Sequence, residues 1–117
     1  MDIETYRSYC LSIKGAEEKT PFDKTTLVFS VKGKMFSSTN IDTFELINVK
    51  CDPEETLLLR EKYEEVIPAY YMNKKHWNSI LTNGKITNGQ IEKWIKDSYY
   101  LVVAGLPKKV REEFQNE

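Results

Sequence analysis

Leu27, Phe29 and Val31 alternate with Val28 and Ser30, so one side of this extended segment is continuously apolar. The alternation breaks at Lys32-Gly33-Lys34 and an extended pattern resumes over Met35-Phe36-Ser37-Ser38. Glycine at the break supplies the positive backbone angle that a tight hairpin needs. A loop over residues 39–43 leads to a third extended segment, about 44–51, with Ile47, Val49 and Cys51 on one side. Three sequential strands with short links imply an antiparallel meander, because a parallel return needs a long crossover.

Helical spacing appears on either side of this block. Ile3, Tyr6, Cys10 and Ile13 form a stripe that predicts a helix from about Asp2 to Lys14, with Asp2 as its cap and Gly15 as its stop. Residues 16–23 read as a loop, since charges dominate and Pro21 limits local helix. Asp52-Pro53-Glu54-Glu55 is the clearest helix start: a cap, a proline suited to the first position, and acids that complement the positive end. Leu58, Leu59, Tyr63 and Val66 then face inward until Pro68 ends the segment by Ile67. Tyr70–Met72 and Trp77–Leu81 read as a second hairpin, linked by residues 73–76, and Asn83-Gly84 turns the chain away.

Thr87 and Gln90 resemble a capping box for the last main helix, whose stripe is Ile91, Trp94, Ile95, Tyr99 and Val102. Glu92 and Lys96 are spaced to pair on its wet side. Gly105 and Pro107 punctuate its end, and Val110 with Phe114 mark a short terminal helix near 107–115. The expected fold is α+β with the order α-β-β-β-α-β-β-α. It is a single two-layer domain spanning 1–117, with helices packed on one face of a five-stranded antiparallel sheet. The other face is left to water or to a ligand.

The 117 residues suffice for a core without metal or disulfide, and 40% hydrophobic with 30% charged residues is the composition of a globular domain. No apolar run is long enough to span a bilayer, and Asp2 with an amphipathic pattern replaces a leader, so the expectation is a cytoplasmic protein with no membrane partner. Cys10 and Cys51 lie far apart without a C-x-x-C spacing and read as buried apolar residues. His76 is the sole imidazole, which excludes a two-histidine metal site within one chain. No phosphate-binding glycine loop is present. Glu17-Glu18, Glu54-Glu55 and Glu64-Glu65 read as solvated faces. The chain is thus expected to be no enzyme, with no catalytic residue, cofactor or metal.

The basic residues carry the functional expectation. Net charge is −1, from 17 basic and 18 acidic residues, so any phosphate affinity must come from a local face. Lys32 and Lys34 flank one expected hairpin tip and Lys74 and Lys75 lie on the other. Lys50 follows the third strand, and Lys108, Lys109 and Arg111 lie near the C-terminus. Tips projecting from one edge would form two charged wings that contact phosphates with little base preference. Tyr70, Tyr71 or Trp77 could stack on bases if exposed, or serve as core and sheet pairs. The alternative is a protein-interaction or self-association module that uses the open sheet face or edge.

Several segments, taken in order, are jointly specific: Lys34-Met35-Phe36, Asn48-Val49-Lys50-Cys51-Asp52-Pro53-Glu54, Pro68-Ala69-Tyr70, Met72-Asn73-Lys74-Lys75-His76-Trp77-Asn78 and Ser98-Tyr99-Tyr100-Leu101-Val102. They resemble the MmcQ/YjbR family of small bacterial proteins over nearly the whole chain. The resemblance implies a two-layer architecture similar to the CyaY-like and secretion-chaperone-like folds, and DNA binding through a double wing. Carried onto this chain, the implied wing residues are Lys32, Gly33 and Lys34, then Lys74, Lys75 and His76. Tyr71 and Trp77 are expected to hold the second wing.

Overall fold

The computed structural model describes residues 1–20 and 24–114. Helix α1 (Ile3–Ser12) starts where the Asp2 carboxylate accepts the Thr5 N–H at 2.7 Å, and it buries Tyr6 and Cys10. The chain leaves α1 through Gly15 at φ 78° and enters strand β1 (Ala16–Lys19). This corrects the reading of 16–23 as a loop; residues 21–23 of that span lie outside the described residues. Strand β1 pairs antiparallel with β2 (Thr26–Val31) at the sheet edge. An edge strand of Ala-Glu-Glu-Lys shows no apolar alternation because backbone pairing, not burial, defines it. Glu18 also forms an ion pair with Arg7 of α1, which holds its carboxyl below the usual range.

The remaining elements are β3 (Lys34–Asn40), β4 (Leu46–Lys50), α2 (Pro53–Lys62), β5 (Val66–Pro68), β6 (Trp77–Leu81) and α3 (Asn88–Ala104). A short α4 (Lys108–Arg111) and a 3-10 turn (Glu112–Phe114) follow. Among the described residues the sheet has six antiparallel strands in the order β1-β2-β3-β4-β6-β5, one more than expected. A second correction concerns β5: the partner of β6 is Val66–Pro68, not Tyr70–Met72. Helix α2 stops at Lys62, and Val66 lies opposite Ile80 on the core side. Pro68 is accommodated because an edge strand can spare one N–H. On α2, Leu59 and Tyr63 pack against the core while Leu58 is 61% exposed.

The helices cover the sheet face that carries Leu27, Phe29, Val31, Ile47, Val49 and Ile80. Tyr6 meets Phe29 edge to face at 5.4 Å, and its hydroxyl shares a hydrogen bond with Ser37 at 2.8 Å. Helix α3 buries the whole expected stripe and is capped by Thr87, whose hydroxyl accepts the Gln90 N–H at 3.1 Å. Its wet side pairs Lys93 with Asp97 at 2.8 Å, while Lys96 lies over the rings of Tyr99 and Tyr100.

Strands β2 and β3 change register between Phe29 and Ser30, and β3 pairs with β4 only over Ser37–Thr39. The wholly buried Ser98 of α3 closes the resulting gap. Its hydroxyl donates to the Phe36 carbonyl at 2.6 Å and accepts the Lys50 N–H at 2.8 Å. Ser98→Ala should therefore cost about 1–3 kcal/mol, because two backbone groups lose their partner. Urea unfolding checks this, and an unchanged midpoint would refute it.

Candidate functional site

The register places both lysine-bearing tips at one end of the sheet. Val31 pairs with Lys34 to close the β2–β3 turn, while Lys50 pairs with Trp77 and the Cys51 N–H donates to the His76 carbonyl at 2.6 Å. Strands β3 and β6 both flank β4, so the two tips lie on either side of the end of β4.

The first tip is a tight turn in which Lys32 and Gly33 both take positive φ, 51° and 79°. Lys32 is drawn to Glu113 at 3.0 Å, so its charge is partly matched by the C-terminal segment. Lys34 is exposed. The second tip is a chain of turns rather than a simple hairpin. Asn73 accepts the Lys75 N–H on its side chain at 2.9 Å and the His76 and Trp77 N–H groups on its carbonyl at 3.1 and 2.9 Å.

Helix α2 holds this second tip. The Arg60 guanidinium donates to the Lys74 carbonyl, to the Trp77 carbonyl at 3.3 Å and to the Asn78 amide oxygen at 2.6 Å. The Thr56 hydroxyl donates to the Lys75 carbonyl at 2.9 Å. Asn78 is fully buried, and its amide nitrogen donates to the Thr56 carbonyl at 3.2 Å and to Cys51 Sγ at 3.7 Å. Burial pushes the Cys51 thiol up to about 11, the Asn78 hydrogen bond opposing it. Tyr71 is fully exposed, so the bracing expected of it falls to Arg60, Thr56 and Asn78. Trp77 is half-buried as a strand residue, and half-buried His76 contributes its carbonyl to the Cys51 N–H.

Sequence reasoning missed that brace, although two signals were present. Thr56 and Arg60 lie one helical turn apart, and Asn78 occupies the core side of a strand beside Ile80. Between α2 and the loop, Pro53, Thr56, Leu57, Arg60, Lys74 and Lys75 line a groove of about 320 Å³ that, among the described residues, has three cations and no carboxylate. Lys74 also rests over the Tyr70 ring at 5.8 Å. Lys50 lines a different cleft, about 440 Å³, shared with Asp52, Glu55 and Asp97. Lys93 lines it as well, so this cleft mixes charges of both signs. Among the described residues no group of three or more His, Cys, Asp or Glu could hold a metal ion. No helix among them is long and apolar enough to cross a membrane.

The sequence profile of the YjbR family matches residues 11–101. The chain belongs to the YjbR family. This YjbR-family chain is 36% identical over 107 residues to protein YbdF of Escherichia coli O157:H7, which covers 91% of this chain and 88% of that one. Protein YjbR of Escherichia coli strain K12 is 28% identical over 112 residues, 95% of each chain. The crystal structure of Deinococcus radiodurans protein DR2400, described with domain DUF419, superposes at TM-score 0.88 with 32% identity, covering 95% of this chain and 86% of that one.

Proposed function

We propose that this YjbR-family protein binds DNA without catalysis, meeting the phosphate backbone with the sheet end that carries Lys34, Lys74 and Lys75. The observation behind this reading is the joint placement of both tips at that end, with the second tip already held by α2. A loop ordered before binding loses less conformational freedom when DNA arrives. Lys32 contributes less than the other lysines because Glu113 engages it, and Gly33 serves the shape of the turn.

Lys74→Glu combined with Lys75→Glu should weaken duplex binding about tenfold at low salt, because two phosphate-facing cations become anions. The slope of log affinity against log salt should shrink by about 0.9 for each phosphate that is no longer neutralised. Fluorescence anisotropy across a salt series measures both, with circular dichroism confirming the fold. Unchanged affinity and slope would remove the loop from the mechanism.

Exposed Leu57, Leu58, Tyr70 and Tyr71 favour a second reading, a protein-interaction surface beside the same loop. Apolar association would persist or strengthen as salt rises, whereas phosphate binding would fall.

A further inference from the structure

Ser37 points to Tyr6 in the helical layer, so its neighbour Ser38 points to the opposite face. There Val28, Ser38, Asn48, Ser79 and Ile67 form one row across five strands. Tyr71 and Met72, from the loop that bears Lys74 and Lys75, join this face to bound a cavity of about 450 Å³. That volume falls within the roughly 300–1,000 Å³ of small-ligand sites.

The cavity has a directional chemistry. Asn48 Nδ2 donates to Ser38 Oγ at 3.0 Å, and Asn48 Oδ1 accepts from Ser79 Oγ. A primary amide nitrogen carries a second hydrogen and a hydroxyl carries one of its own, so among the described residues the floor has donor groups to offer. Val28, Met35, Leu46 and Met72 supply apolar wall, and thioethers suit the edge of an aromatic ring. The fully exposed Tyr71 ring adds a stacking surface. Among the described residues no lysine or arginine lines the cavity but Glu45 does, which disfavours an anionic occupant.

We infer that this cavity receives an unpaired base of single-stranded nucleic acid. The base is an uncharged flat ring whose acceptor atom meets Asn48 and Ser38 while its face rests on Tyr71. The inference rests on the phosphate reading, because the strand's backbone would continue onto Lys74 and Lys75 of the same loop. A base stacked within a duplex presents no free ring face, so the site discriminates for single strands.

The test uses fluorescence anisotropy with oligothymidylate and with a duplex, together with amide NMR during titration with thymidine, which has no phosphate. Tyr71→Ala should weaken oligothymidylate binding about tenfold and leave duplex affinity unchanged. Its side chain is fully exposed, so the fold should survive. Thymidine should shift the Asn48 side-chain amide and the Val28 and Ser38 signals. Unmoved signals with Tyr71→Ala binding oligothymidylate as the parent does would overturn the base site, whatever Lys74→Glu with Lys75→Glu does. Thymidine shifts without oligonucleotide affinity would leave a ring-binding cavity but overturn its assignment to single strands together with the phosphate reading.

Discussion

Asn78→Ala should lower the free energy of unfolding by about 2–4 kcal/mol, from a void plus stranded polar partners. Asn78 is fully buried and serves three groups: it accepts from Arg60 at 2.6 Å and donates to the Thr56 carbonyl and the Cys51 sulfur. Alanine leaves the guanidinium without its side-chain acceptor and strips the Thr56 carbonyl of its second donor, beyond the helical one. The effect reaches the proposed interface, because Arg60 and Thr56 also hold the carbonyls of Lys74 and Lys75. Urea unfolding followed by tryptophan fluorescence gives the magnitude, and hydrogen exchange over residues 69–76 should accelerate selectively. Combining Asn78→Ala with Arg60→Ala should cost less than the sum of the two, as residues in one network do. Full additivity would mean that the side chains act separately.

Gly15→Ala should cost about 2–4 kcal/mol, from two separate penalties. At φ 78° the residue occupies the left-handed region, where a side chain is strained. A Cβ there would also lie 2.9 Å from Phe114 Cε1, 3.3 Å from Phe114 Cζ and 3.5 Å from Val31 Cγ2. The Phe114 ring cannot turn aside freely, since it is buried against Tyr99. Gly33→Ala is the internal control: φ is 79° but none of the described residues lies within 4 Å of the new atom, so only the backbone cost of about 1 kcal/mol remains. Equal midpoints for the two variants would refute the clash. Displacing Phe114 would also disturb Glu113, which holds Lys32 at 3.0 Å and accepts from Lys14 on its carbonyl at 2.8 Å. The destabilised variant should therefore have a freer cation at the first tip.

What could be read directly from the chain is what depends on near neighbours. The Asp2, Asp52 and Thr87 caps satisfy N–H groups two or three residues ahead, and the α3 stripe repeats within its own helix. Alternation over Leu27–Val31 and the glycine after it likewise carry the first hairpin. Strand β1 escaped because Ala16 is its single apolar residue, too little for an alternation, and its strand character comes from pairing with β2. The second hairpin was misplaced because Val66 continues the helical spacing of Leu59 and Tyr63, which draws Val66-Ile67 into the helix and leaves Tyr70–Met72 as the extended candidate. The sheet selected Val66–Pro68 through Val66 opposite Ile80.

The candidate site divides in the same way. Lys34, Lys74 and Lys75 are visible as charges near turns, but their sharing of one sheet end follows from strand order. The Arg60–Asn78 and Thr56–Lys75 bonds span 18 and 19 residues, and the Lys32–Glu113 pair joins the first hairpin to the C-terminus. Local preference selects caps, turns and periodic faces because those energies involve residues a few positions apart. Which lysine keeps its charge free, and which loop is held still, depends on groups brought together only when the sheet closes.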